Sequence, residues 1–361
     1  MAGGTLTVLQ SFARRQHEVG AEVTIYYLTR PDSPSEDQMQ QRFGPEVDLR
    51  NFTTGRRKIL DYLALGMAIV EAENSGQFDV IHLHSSKAGA LGRLAHLASR
   101  RSARIFYSPH GFAFLRQDVP TITRHAFRAA EMVLAKVGDG LVLTCASERS
   151  LAKESLKAKR SYLVTTGVNH ESVSKVAPPP SDESRARKGE PRPRVGIVAR
   201  VTYQKAPWRF KKVADDLSHR ADFIWIGGAE TQAQEAWLGS YQPTGWMAPD
   251  ELAKALDELD IFLFPTLWEG MPLALIQAQA AGIPAVVSDV VGNRDAVLDG
   301  ETGFVCASDE GLVERTRQLI EDKELRNKMA AASRKRALKH LTDRQLGKQT
   351  LEIYATSETI S

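Results

Sequence analysis

The stretch Phe264–Gly282, FPTLWEGMPLALIQAQAAG, sets one carboxylate, Glu269, ahead of Pro272 and an apolar helical run, with an amide, Gln277, eight residues further on. Ile261–Phe264 reads as a buried strand and Pro265–Trp268 as a turn. Pro272 suits the first turn of a helix, because it has no N–H that needs a partner. Gly270 and Met271 then present backbone N–H groups at a helix N-terminus, where the dipole favours anions such as phosphate. A carboxylate aimed at the same place is electrostatically odd unless it binds a neutral polyhydroxyl group beside the phosphate. A sugar attached to a diphosphate has that chemistry. Eight residues of helix rise about 12 Å, so Glu269 and Gln277 are expected at opposite ends of one extended ligand, for instance a hexose and a ribose. The competing account is a capping carboxylate and an ordinary polar helix residue.

Other segments converge on similar chemistry. Arg200-Val201-Thr202-Tyr203-Gln204-Lys205 follows the first strand of the second half, and its two cations can clamp a diphosphate from two sides; a solvated basic loop is the alternative. Ile226-Gly227-Gly228 ends the next strand in glycines, which permits close approach of a ligand or a plain turn. Val291-Gly292-Asn293-Arg294-Asp295 follows another strand at the same rim. In the first half, His82-Leu83-His84-Ser85-Ser86-Lys87-Ala88-Gly89 runs from a strand end into a helix. His82 and His84 share a strand face, but no third ligand stands nearby to complete a metal site. Pro109-His110-Gly111-Phe112 closes the following strand and places His110 at a cleft edge, although a lone histidine is more often structural. Glycoside hydrolysis calls for two carboxylates flanking one bond, and only Glu269 stands out.

The elements that must position these residues alternate. Short β runs at Glu22–Leu28, Val80–His84, Ala103–Ser108, Gly140–Cys145 and Tyr162–Thr166 are separated by helical patterns near Thr5–Val19, Arg56–Asn74, Ala88–Arg101, Thr123–Val137 and Glu148–Leu156, which predicts parallel βαβ units. Val176–Pro193, with Pro178-Pro179-Pro180, has linker composition. The second half restarts with strands at Arg194–Ala199, Phe223–Ile226, Ile261–Phe264, Ala285–Ser288 and Gly303–Val305. Its helices are expected near Pro207–Leu217, Asp250–Leu259, Pro272–Ala281 and Glu310–Ile320, then from Lys323 almost to the C-terminus. Two doubly wound domains should bind ligand at the C-terminal ends of their strands, in the cleft between them. The expected division is 1–175, a linker at 176–193, 194–340, and a C-terminal helix at 341–361 that crosses back to the first domain. One anomaly stands at the start. Met1-Ala2-Gly3-Gly4-Thr5 looks like the glycine turn after a first strand, yet no strand precedes it. A truncated start is the favoured explanation, another segment filling the gap the alternative.

Composition sets outer bounds. The 361 residues are 42% apolar and 25% charged, with a net charge of +3; two domains fit this length, and nucleic acid is not called for. Basic clusters at Arg56-Arg57-Lys58, Arg100-Arg101 with Arg104, Lys157–Arg160 and Arg334–Arg336 are either solvated helix ends or a patch for anionic lipid. Cys145 and Cys306 read as buried free thiols in strand-like settings. No apolar run is long enough to span a bilayer and no signal peptide is visible.

Together these residues resemble the retaining, nucleotide-sugar-dependent glycosyltransferases of family four, over nearly the whole chain. The resemblance rests on the Gly3-Gly4 turn, His110-Gly111, Gly167-Val168-Asn169, Arg200…Lys205, and Glu269-Gly270 through to Gly282-Ile283-Pro284. HLHSSKAGALGRLA (82–95) with SPHGFAFLR (108–116) is similar to the subset that builds bacterial capsules, exopolysaccharides and O-antigens. The resemblance implies an α/β GT-B fold, two doubly wound Rossmann-like domains facing across a cleft. It implies Arg200 and Lys205 on the donor diphosphate, with the Gly270, Met271, Pro272 and Leu273 segment supplying amides to phosphate or sugar. Glu269 would bind hydroxyls of the transferred sugar, and His110 would reach that sugar near the reacting carbon. Gln277 stands where the family has the second acid of an E-x7-E motif that bonds the ribose, with Gly227 and Trp246 also on the nucleoside side. Gly3, Gly4 and Lys87 would line the acceptor side. No metal or other cofactor is implied. The expected partners are a UDP- or GDP-sugar, a polyprenyl-diphosphate-linked saccharide and, weakly, an anionic membrane surface. The expected setting is cytoplasmic, on the inner face of the plasma membrane. A non-catalytic nucleotide-sugar binding or scaffold protein and a GT-B-fold nucleotide-sugar epimerase are the alternatives.

Overall fold

The computed structural model describes residues 4–30, 33–55, 57–171, 192–247 and 249–356. The chain divides into two compact units. The first comprises Met1–Leu115, Val119–Thr166 and Asp343–Ser361, and the second Arg116–Asp118 with Gly167–Thr342. The linker expected at 176–193 lies almost wholly outside the described residues, as does Gly3.

In the first unit the order is α1 (Gly4–Glu18), β1 (Thr24–Tyr27), α2 (Glu36–Phe43), β2 (Asp48–Asn51), α3 (Lys58–Ser75), β3 (Val80–His84), α4 (Ser86–Leu97), β4 (Arg104–Ser108), α5 (Thr121–Leu134), β5 (Gly140–Leu143), α6 (Ala146–Leu156) and β6 (Ser161–Leu163). Strands β3-β4-β5-β6 form one parallel sheet, and β1-β2 a separate parallel pair. Among the described residues no ladder joins β1 to β3, so the single doubly wound sheet expected here is divided in two. β4 and β5 are buried almost throughout, as parallel strands covered on both faces must be. Cys145 does not extend β5 as expected; it caps α6.

The second unit holds β7 (Arg194–Val198), α7 (Pro207–Leu217), β8 (Asp222–Ile226), α8 (Gln232–Glu235), α9 (Pro249–Asp257), β9 (Ile261–Phe264), α10 (Leu273–Ala280), β10 (Ala285–Ser288), α11 (Asn293–Ala296), β11 (Gly303–Cys306), α12 (Asp309–Glu321) and α13 (Lys323–His340). Its parallel sheet runs β11-β10-β9-β7-β8. Read from β8, this is the 2-1-3-4-5 order, whose direction reverses between β7 and β9. In such sheets ligands bind outside the carboxyl ends of the strands, at the switch point. β9 and β10 are buried at every position.

The long final helix expected from Lys323 is two helices. α13 stops at His340, because Val168 N–H bonds the Leu341 carbonyl at 3.1 Å and Thr342 bridges Val168. A Cβ on Gly167 would lie 1.8 Å from that carbonyl, which explains a glycine there. The chain then returns to the first unit as α14 (Leu346–Thr356), which packs along α1. Asp343, fully buried, accepts from Arg14 at 2.5 Å and from Arg15 at 2.8 Å. No described helix is long and apolar enough to cross a membrane.

Candidate active site

The two loops at the switch point of the second unit are stitched together. Leu267 N–H donates to the Gln204 carbonyl at 2.9 Å, and the Gln204 amide donates to the Trp268 carbonyl at 2.7 Å. The following residues on each loop meet: Lys205 Nζ lies 2.6 Å from Glu269 Oε1 and 4.8 Å from the centre of the Phe264 ring. Glu269 is only 6% exposed. A buried carboxylate is tolerable here because the ammonium offsets its desolvation. Arg200, at the start of the first loop, is more exposed and pairs with Glu230 at 3.2 Å.

Glu269 is not part of the helix that follows it. Pro272 is the N-cap and not the first helical residue, and the first intrahelical bond runs from Ile276 N–H to the Pro272 carbonyl at 3.2 Å. The 12 Å helical separation expected between Glu269 and Gln277 therefore does not apply. Only Leu273 to Gln277 is helical, a rise of about 6 Å, and the remaining span is loop. Gly270, Met271 and Leu273 bring their backbones to this N-terminus, which favours anions. Gln277 is half-buried in the second turn.

The sequence showed less of what holds this loop in place. A Cβ on Gly292, whose φ is +81°, would sit 1.4 Å from the Gly270 carbonyl oxygen, so only glycine lets the two backbones touch. Asn293, fully buried, donates through Nδ2 to Thr266 Oγ1 at 3.2 Å and to the Ser288 carbonyl at 3.1 Å, and the Ser288 hydroxyl donates to the Thr266 carbonyl. The Gly292-Asn293 pair was visible as a rim motif; Thr266 and Ser288 carried no signal, since isolated hydroxyls at strand ends are common. At β8, Gly227 (φ +135°) abuts the Ala199 carbonyl, and its amide donates to Thr244 Oγ1 at 3.1 Å. Trp246, 47% exposed, lies against Gly228, where a Cβ would come within 2.9 Å of the indole. Gly227 and Trp246, expected on the nucleoside side, both lie at the end of β8.

In the first unit, His110 ends β4 with φ +54°, a conformation costly for a residue other than glycine. The strain is held by its neighbours. Gly111 N–H donates to Glu148 Oε1 at 2.9 Å, and the His110 ring stacks on His84 with His84 Nδ1 2.9 Å from His110 Nε2. His82 lies beside them and is fully bonded. Its Nε2 is 2.9 Å from Ser108 Oγ, which itself donates to the Val142 carbonyl at 2.6 Å; its Nδ1 is 2.6 Å from Tyr354 Oη, which accepts from Gln16 at 3.0 Å. This chain closes only if His82 is neutral and carries its proton on Nε2. Burial pushes His82 down to about 3, with repulsion from His110 adding to it, and pushes His110 down to about 4. His84 is also held well below its usual value, by burial first and then by the other two rings. Lys87 is exposed near the start of α4 and lies over the Tyr62 ring at 5.6 Å. Gly4 opens α1 in open space.

Comparison with known proteins accords with this geometry. Residues 2–172 match the family model described as Glycosyltransferase Family 4, and residues 180–336 the model described as Glycosyl transferases group 1. An Escherichia coli UDP-Gal:alpha-D-GlcNAc-diphosphoundecaprenol alpha-1,3-galactosyltransferase is 26% identical over 256 residues, 63% of this chain and 62% of that protein. The match therefore spans less than two thirds of that relative's length. Among solved structures, sucrose-phosphate synthase from Thermosynechococcus elongatus superposes with a TM-score of 0.81 at 18% identity, covering 98% of this chain and 94% of the other. Anabaena HepE in complex with UDP-glucose gives 0.76 at 16% identity, covering 99% and 97%. These two likenesses concern fold alone. With one family model on each half of the chain and two Rossmann-like units beneath them, the protein belongs to the family-four glycosyltransferases of the GT-B fold.

Proposed function

We propose that the protein is a retaining, metal-independent glycosyltransferase that moves a hexose from a UDP-sugar to a polyprenyl-diphosphate-linked saccharide in the synthesis of a bacterial surface polysaccharide. The observation that carries this reading is the Lys205–Glu269 pair at the switch point: a cation for the diphosphate beside a carboxylate for the sugar, next to a helix N-terminus. Supporting it, the E. coli relative is named for a UDP-sugar donor and a diphosphoundecaprenol acceptor. A GDP-sugar remains the other donor to test.

Under this reading the sugar C1–O bond to the diphosphate breaks and the acceptor hydroxyl oxygen bonds to C1 on the same face. The hydroxyl proton passes to the departing phosphate oxygen. Arg200, Lys205 and the amides of Gly270, Met271 and Leu273 stabilise the charge that grows on the diphosphate, the largest single contribution such a site can make. Glu269 accepts from sugar hydroxyls, Gln277 from the ribose, and Gly227 and Trp246 border the base. His110 is assigned to the transferred sugar, and Lys87 with Gly3 and Gly4 to the acceptor. The protein would work in the cytoplasm, peripherally on the membrane that carries its acceptor.

The test is a panel of UDP- and GDP-sugars incubated with a lipid-linked saccharide extract and read by mass spectrometry. A mass increment of one hexose is expected with a UDP-hexose and lost in Glu269→Ala. Calorimetric binding of donor without transfer would favour a non-catalytic binding protein; donor conversion without acceptor would favour an epimerase.

A further inference from the structure

His110 sits on a turn that the sheet itself does not hold. The β4–β5 ladder pairs Phe106 with Gly140 and Tyr107 with Leu141, and it stops short of the turn. Beyond it, His110 and Gly111 take positive φ one after the other, +54° and +97°. Only the second is a glycine, so the conformation has a cost at His110 that its surroundings must offset.

Glu148 supplies a tie where the ladder ends. It stands in the first turn of α6 and is fully buried. A glutamate three residues after an N-cap ordinarily serves the start of its own helix. Glu148 also reaches a different strand: Oε1 accepts from Gly111 N–H at 2.9 Å, while Oε2 accepts from Thr144 N–H at 3.4 Å. One side chain thus joins the end of β4 to the end of β5. The start of a helix favours negative charge, which helps the position tolerate a carboxylate away from water. The bond to Gly111 acts directly on His110. That N–H belongs to the peptide plane whose rotation is the ψ of His110, so a fixed acceptor for it fixes the histidine backbone. The ring is held separately, stacked on His84 with its Nε2 2.9 Å from His84 Nδ1. Among the described residues nothing bonds His110 Nδ1, which leaves one ring nitrogen for a ligand.

We infer that Glu148 is a positioning residue: by bracing Gly111 it sets where His110 Nδ1 meets the transferred sugar. This rests on the glycosyltransferase reading for the role of His110, and it adds a buried residue that acts only through that histidine.

The experiment is a double-mutant cycle on the full chain, joined to a direct view of the ring. Glu148→Asp keeps the carboxylate but is one carbon too short for Gly111; it should lower kcat about tenfold and leave donor KM unchanged. Glu148→Gln keeps an oxygen for Gly111 and gives up the longer bond to Thr144, so it should recover most of that loss. With His110→Ala as the background, Glu148→Asp should cost less than about twofold more, because residues that act through one another are not additive. Losses that multiply in the double variant, or an unaltered kcat in Glu148→Asp, overturn the inference. Nuclear magnetic resonance of protein carrying isotope-labelled histidine gives a readout that needs no turnover. The His110 ring signal, identified by its loss in His110→Ala, should move in Glu148→Asp and return in Glu148→Gln. A signal that stays in place in Glu148→Asp overturns the inference, whether or not sugar is transferred. Should the shorter side chain prevent folding, Glu148→Gln decides alone. A folded amide variant as impaired as His110→Ala overturns the inference, because the acceptor for Gly111 is still there; one close to wild type with its ring signal in place upholds it. If the signal moves as expected and the wild type transfers no sugar, the brace stands and the glycosyltransferase reading fails.

Discussion

At the scale of single residues, the decisive fact is that Glu269 and Lys205 hold one another at 2.6 Å. Under the proposed function this couples sugar and diphosphate recognition, and it makes Glu269→Ala more than the loss of one contact. The variant strips the ammonium of its partner as well as the sugar of its acceptor, so turnover should fall by about a hundredfold or more, the loss of roughly 2.7 kcal/mol of stabilisation. Glu269→Gln keeps the shape and one hydrogen bond, and it should lose turnover with little change in thermal midpoint; unchanged kcat in both variants refutes the assignment. Gln277 permits the opposite experiment. A neutral hydrogen bond contributes about 0.5–1.5 kcal/mol and a charged one about 1.5–3, so Gln277→Glu should lower donor KM several-fold without changing kcat. Glu269 stood out in the sequence as a lone carboxylate in an apolar stretch, and the loop Arg200–Lys205 as two cations directly after a strand. Their pairing did not, since Lys205 and Glu269, 64 positions apart, are brought together only by the strand order. The same holds for His84 and His110: the sequence pairs His84 with His82, and only the fold brings it to His110, 26 positions away.

At the scale of elements, the motif HLHSSKAGALGRLA is chiefly a packing device. A Cβ on Gly89 would lie 2.2 Å from the Tyr107 ring, and one on Gly92 would lie 2.3 Å from Leu83. With α4 drawn onto β3 and β4, Arg93 stacks over Tyr107 at 4.1 Å and pairs with Glu131 at 2.8 Å, and the Tyr107 hydroxyl donates to the same carboxylate at 2.9 Å. Arg93 and Glu131 are both buried. Removing one partner leaves the other charged and buried, so Glu131→Ala should cost about 3–5 kcal/mol, read as a lower urea midpoint for the first unit. Gly89→Ala should also lower it, while Glu131→Gln should lose less. Strands such as Ile261–Phe264 and Ala285–Ser288 were read to the residue because parallel strands covered on both faces are near-continuous apolar runs. α2 and β2 were missed for the opposite reason. EDQMQQRF buries only Met39 and Phe43, and the edge strand DLRN is exposed at three of its four positions. Neither carries the periodicity that burial imposes.

At the scale of the whole chain, the first unit closes by joining its two ends. Asp343 binds Arg14 and Arg15, a Cβ on Gly347 would lie 1.9 Å from the Arg15 carbonyl, and Tyr354 of α14 bonds His82 of β3 across 272 positions. This return was legible only as an expectation, because nothing local in the sequence names the surface that α14 meets. It has a measurable consequence in acid. An unfolded histidine takes up its proton near pH 6.5. In the folded unit burial keeps His82 neutral to about 3 and His110 to about 4, and holds His84 neutral well below 6.5. Above pH 6.5 both states are neutral at these sites, and they add no pH dependence. Below it the unfolded chain binds more protons than the folded one, so stability falls, each histidine contributing up to about 1.4 kcal/mol per pH unit. Protonating His82 on Nδ1 would also take away the acceptor of the Tyr354 hydroxyl, weakening the tie between α14 and β3 at the same step. The first unit should therefore unfold at progressively lower urea between pH 6.5 and pH 4, with His82→Gln showing a shallower slope than the wild type. A wild-type midpoint that stays level across that range would show that these imidazoles are already protonated in the fold, and the closed hydrogen-bond chain from Gln16 to Val142 would be wrong.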